Sequence, residues 1–174
     1  MATPIATLLI VIVTGVVSFL AFNNSALKGK LIFSPQSVLA DKEYYRVVTP
    51  AFLHADWQHL FFNMISLYLF AENMEPAIGS GRFVLIYFAG IIGGSLLSLY
   101  LHRHHEYFSL GASGGVCGII FSSVFLFPGS RIYIFSCRWG FPAGFMPSFS
   151  WFRSFMGGGR NKRTSDTTPI WAGQ

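Results

Sequence analysis

The run IATLLIVIVTGVVSFLAF, from Ile5 to Phe22, contains no charged residue. A segment of that length and polarity is long enough to cross a hydrocarbon core, which takes roughly 17 to 25 helical residues. Three further apolar segments follow, at about 59–74, 83–101 and 112–127. Only 11% of the 174 residues are charged and 52% are hydrophobic, against roughly 25% charged in a soluble domain. The sequence therefore predicts an all-α fold, a polytopic membrane helical bundle with four transmembrane helices. The second and fourth segments are short, which favours burial among neighbouring helices or a locally thin bilayer. The first lacks a positively charged leader and a small-residue exit, so it is read as an anchor and not a signal peptide.

The net charge is +5 and the pI is near 9.5, but the basic residues are scattered between apolar runs. Anionic lipid headgroups are the more economical partner, and no nucleic acid is expected. Cys117 and Cys137 make neither a disulfide framework nor a metal set, and no cofactor or metal is expected. A long connection, about 23–58, carries Lys28, Lys30, Asp41, Lys42, Glu43 and Arg46 beside Tyr44, Tyr45, Phe52 and Leu53. Such a loop needs structure of its own, and its amphipathic content places part of it in the membrane interface. Gly90, Gly93 and Gly94 in the third segment, with Gly111, Gly114, Gly115 and Gly118 in the fourth, allow helix backbones to approach closely.

Polar groups inside apolar segments narrow the options. His59 and Asn63 are four residues apart and share one helical face, with His54 just ahead. They either hydrogen-bond neighbouring helices or line a polar site, because such groups are costly in contact with lipid. Glu72 and Glu75 read as a cap on the bundle through Arg82, and His102, His104 and His105 as a solvated interfacial turn. Ser113 stands apart: Gly111, Gly114 and Gly115 strip side-chain bulk from around its hydroxyl. At a helix N-terminus the first N–H groups lack intrahelical partners and face any developing negative charge. Ser113 is then either a simple N-cap or a nucleophile with an oxyanion site beside it, to which Asn63 and His59 could add donors.

Taken together, Tyr45-Arg46, His54, His59, Asn63, Glu72, the turn 79–82 and Gly111-Ala112-Ser113-Gly114 resemble the rhomboid family of intramembrane serine proteases. The resemblance covers roughly residues 1 to 135, a rhomboid-like membrane domain. It implies that Ser113 is the nucleophile, that His59, Asn63 and the Ser113 backbone amide form the oxyanion hole, and that Tyr45, Arg46, His54, Glu72, Arg82, Gly111 and Gly114 are structural. It also implies six helices and a Ser-His dyad whose histidine lies on the sixth, in a motif of the form GHxxHxGG. The substrates implied are transmembrane proteins, cleaved in or near their membrane segments.

No histidine follows His105, and residues 136–174 read as an aberrant tail in place of the fifth and sixth helices. Codons that can encode Thr164 to Gln174, read one base out of register, give IGHDAHLGGA, which has the form of the missing motif. A reading frame that slips near Ser136 accounts for this. The expectation is a protease inactive for want of its catalytic histidine, with a non-catalytic membrane-helix-binding protein as the alternative. The resemblance places the chain in the bacterial inner membrane with a cytoplasmic N-terminus. That orientation puts Lys28, Lys30, Lys42 and Arg46 outside, against the positive-inside tendency. Four spans without repeat symmetry or a charged pore face argue against a channel.

Overall fold

A computed structural model describes residues 4–127, with the backbone of 131–132 and 141–142. Those last two segments pair as a short antiparallel ladder, Arg131 opposite Pro142. The rest of the tail, and the frame slip read there, lie outside the described residues.

Helix α1 (Ile5–Phe22) turns Thr7, Ile10, Thr14, Ser18 and Ala21 inward and leaves Leu9, Ile12, Val16, Phe19 and Leu20 exposed. Three small hydroxyls point inward while large apolar side chains point outward, the reverse of a water-soluble helix. Lipid is the solvent that tolerates this, and the chain is an integral membrane protein.

The connection after α1 is a built layer. Helix α2 (Ser25–Leu31) is capped by Asn24, whose side chain accepts from Leu27 N–H. Helix α3 (Pro35–Leu39) is capped by Ser34 and has proline in its first turn, where the missing N–H costs nothing. Two 3-10 turns, Tyr44–Val47 and Thr49–Phe52, complete it. Arg46 holds the layer together: Nη1 donates to Gly29 O at 2.8 Å and to Ile32 O at 2.7 Å, while Nε pairs with Glu43. The pairing holds the Glu43 carboxyl below its ordinary pKa.

Helix α4 (Trp57–Ile78) starts at Asp56, whose carboxylate accepts from His59 N–H at 2.7 Å. Gly79, at φ +84°, turns the chain directly into α5 (Ser80–His102). A return segment leads to α6 (Ser113–Leu126). Helices α5 and α6 touch backbone to backbone, for a Cβ on Gly90 would lie 2.6 Å from Gly114 O. Around that seam Leu67, Met74, Phe83, Tyr87, Ile91 and Ile119 form the core.

The bundle is all-helical and consistent with a rhomboid fold, but the expectation of four transmembrane helices is corrected. Among the described residues only α1 and α5 are long and apolar enough to cross a membrane. Helix α4 has the length, 22 residues, but Gln58, His59, Asn63, Glu72, Asn73 and Glu75 dilute its apolar character. Helix α6 is apolar but has only 14 residues. At 1.5 Å per residue that is about 21 Å, short of the roughly 30 Å of hydrocarbon.

Candidate active site

The start of α1, the end of α4 and the start of α5 meet at one end of the bundle. There Glu75, buried, accepts from Ala6 N–H at 2.8 Å, Thr7 N–H at 2.9 Å, and the hydroxyls of Thr7 and Ser80, each at 2.6 Å. A carboxylate at a helix N-terminus satisfies donors that have no intrahelical partner. Glu75, not Glu72, is thus the carboxylate that ties the bundle; Glu72 and Arg82 are exposed.

The opposite end gathers the predicted site. Ser18 Oγ donates to Phe52 O at 2.8 Å and lies 2.9 Å from His54 Nδ1. With the one hydroxyl hydrogen committed to Phe52, Nδ1 carries the imidazole proton and donates to Ser18. Nε2 then accepts from Ala112 N–H at 3.4 Å, a tautomer assigned from the network. Ring burial, with a smaller push from His59, lowers the His54 pKa to about 3. His54 is therefore a neutral link between α1 and the residue before Ser113.

The turn into α6 is built on Gly111. Its N–H donates to Pro50 O at 2.9 Å, and its φ of +123° favours glycine. A Cβ there would lie 2.9 Å from His59 Cε1 and 3.1 Å from Nε2, so the absent side chain is what admits the His59 ring. That ring sits edge-on to His54, centroids 4.9 Å apart. Its Nδ1 takes the Ala55 N–H at 3.5 Å, which leaves the proton on Nε2, the nitrogen nearer Gly111. Asn63 Nδ2 donates to His59 O at 2.9 Å. No side chain caps α6. Ser113 opens on a cavity of about 440 Å³, lined also by Gly114, His59, Asp56, Ser95 and Tyr107.

A profile of the rhomboid domain matches residues 41–161. The chain belongs to the rhomboid family. It is 40% identical over 90 residues to the putative rhomboid protease YdcA of Bacillus subtilis, covering 51% of this chain and 43% of that protein. It is 40% identical over 84 residues to the rhomboid protease GluP of Bacillus subtilis, covering 48% and 16%. Over 129 residues it is 30% identical to rhomboid protein 1, mitochondrial, of Saccharomyces cerevisiae, covering 68% and 37%. The chain spans less than half the length of each of these relatives. The family is one of serine proteases that cleave transmembrane proteins within the bilayer, and this chain is rhomboid-type by family.

The expectation of a rhomboid inactive for lack of a histidine is corrected by the contacts around His54 and Glu75. A serine–histidine contact, Ser18 to His54, and a serine–carboxylate contact, Ser80 to Glu75, are both present. They resemble the parts of a catalytic arrangement, so a histidine paired with a serine is present among the described residues. The physical reason is that pairing depends on folding: His54 and Ser18 are 36 residues apart in sequence. The two contacts sit at opposite ends of α1, since Glu75 holds Thr7 and His54 holds Ser18. Sequence reasoning missed Ser18. The available signal was the polar stripe Thr7, Thr14, Ser18, which recurs at helical spacing in an otherwise apolar run.

Of the remaining predicted residues, Arg46 is buried and holds the connection, while Tyr45 is exposed and donates from its hydroxyl to Glu43 at 2.9 Å. His59, Gly111, Gly114 and Ser113 come together at the mouth of α6, Asn63 bonds back to His59 O within α4, and Glu72 and Arg82 do not join them.

Proposed function

We propose that this rhomboid performs serine-protease chemistry at the Ser113 cavity, with Ser113 Oγ attacking a peptide carbonyl in or beside a membrane segment of another protein. The observation that carries this reading is the corner formed by Gly111, His59 and Ser113, where an open cavity meets an uncapped helix N-terminus. Attack joins Ser113 Oγ to the carbonyl carbon and turns the carbonyl oxygen into an oxyanion, and the Oγ proton passes through water in the open cavity to the amine nitrogen that leaves as the C–N bond breaks. The Ser113 N–H and the Nε2–H of His59 are the donors proposed on that side, and the Asn63 amide, which now donates to His59 O, joins them by turning toward the oxyanion. Water then adds to the acyl carbon, the C–Oγ bond breaks, and one water proton returns to Ser113 Oγ as the carboxylic acid departs. In this reading residues 1–135 are the working domain. The N-terminus lies in the cytoplasm of a bacterial cell and the Ser113 corner toward the outer face of the inner membrane. The bacterial relatives and the shared end of the bundle for Ser113 and the 23–56 layer support that placement.

The test is labelling of the full chain, purified in detergent, with a fluorophosphonate probe, alongside cleavage of a model transmembrane substrate. Labelling and cleavage lost in Ser113→Ala and kept in Ser18→Ala are the expected result. Labelling that survives Ser113→Ala, or a parent chain that cleaves nothing, overturns the proposal.

A further inference from the structure

The last turn of α5 and the segment that follows carry His102, Arg103, His104 and His105, none of which the proposed chemistry uses. His102 Nδ1 and His105 Nε2 lie 2.8 Å apart, with their rings nearly perpendicular at 87°. Two ring nitrogens face each other across a gap that one proton now bridges. A zinc ion with Zn–N bonds of about 2.0–2.1 Å and tetrahedral angles would hold such nitrogens about 3.3 Å apart. Opening the pair by about half an ångström therefore converts a shared proton into a shared metal. His105 is exposed and His102 half-buried, so solvent reaches the pair. The pair stands at the carboxyl end of a 23-residue helix, where the dipole and unsatisfied carbonyls favour a cation. Arg103, the adjacent positive charge, is turned away, its Nε on His104 and its guanidinium over Tyr100.

We propose that His102 and His105 form a surface site for a divalent ion that prefers imidazole, such as Zn2+, Ni2+ or Cu2+. Water completes the coordination, because no group of three or more ligand side chains exists among the described residues. The site bears on the rim of the cavity. The His102 ring stacks flat on Tyr107, centroids 3.8 Å apart and planes within 7°. Tyr107 in turn lines the cavity and packs edge-on against buried Phe33. An ion that fixes His102 to His105 closes the short turn leading to Tyr107 and stiffens one wall of the cavity.

Binding is read without reference to Ser113 chemistry, so failure here is separate from failure of the protease reading. Zn2+ is titrated into the purified full chain against a chromophoric chelator, with Mg2+ as the control ion. One Zn2+ per chain is expected, with affinity lowered at least tenfold in His105→Ala and unchanged in His104→Ala. Hydrogen exchange of amides 103–110 should slow with Zn2+ in the parent and not in His105→Ala. Equal affinity in parent and His105→Ala, equal loss in His104→Ala, or exchange indifferent to bound Zn2+ would each overturn the proposal.

Discussion

Two serines of this rhomboid stand in opposite settings, Ser18 hydrogen-bonded to His54 and Ser113 sharing a cavity wall with His59. Ser18 is sealed within the bundle, with no exposed surface, and both its hydrogen-bonding directions are taken by Phe52 O and His54. Ser113 stands half-buried at the mouth of a cavity, on a helix end that no side chain caps. A hydroxyl hydrogen-bonded to an imidazole is the chemical pattern of an activated serine, yet a nucleophile must also reach its substrate. Ser18 has the partner without the access, and its contribution is to hold His54 against Ala112. Ser113 has the access, and its surroundings are shaped by glycine.

The sharpest way to break the comparison is to remove each hydroxyl in turn. Ser113→Ala should abolish probe labelling while leaving the melting midpoint close to the parent's, as checked by labelling and thermal unfolding on one preparation. Gly111→Ala should follow in size. A Cβ at φ +123° and 2.9 Å from the His59 ring costs about 2 kcal/mol in strain and overpacking, and the displaced ring should lower labelling as well. A parent-like Gly111→Ala would show that the turn is not what fits His59 to the corner. Ser18→Ala comes next, with about 2 kcal/mol lost because Phe52 O and His54 Nδ1–H are left buried without a partner. Its labelling per folded molecule should be unchanged, and denaturant titration reads the loss.

Acid sharpens the comparison with an effect that is smallest near neutral pH and grows toward pH 3. His54 is neutral when folded down to about pH 3, whereas the unfolded chain takes up that proton near the ordinary 6.5. The unfolded state thus binds more protons between these values, so stability falls as pH drops from about 6.5 toward 3. The slope is at most about 1.4 kcal/mol per pH unit, and this group adds none above 6.5. Replacing His54 with Gln should flatten that part of the stability profile; a slope that persists unchanged assigns the acid sensitivity to other groups.

Legibility in the sequence followed the range of the interactions. His59 and Asn63 were readable because four residues on a helix is a local spacing, and Asn63 does bond back to His59 O. Ser113 stood out in the sequence by the glycines beside it, and its role as nucleophile is the proposal made above. The choice between Glu72 and Glu75 was not, since two carboxylates three residues apart differ only in which one the folded bundle buries. The count of spans failed for a related reason. Apolar content alone made α4 and α6 resemble α1 and α5, while the polar side chains of α4 and the 14-residue length of α6 set them apart once helix ends were fixed.

By itself the sequence determined that this protein is helical, lives in lipid and carries rhomboid motifs, because apolar runs, helical spacings and glycine clusters act over a few residues. Only the tertiary structure decided that Glu75 locks the start of α1, that Ser18 and His54 pair, and that His102 stacks on Tyr107 at the cavity rim. The first two join residues tens of positions apart, and burial and geometry across such distances exist only after the helices have packed.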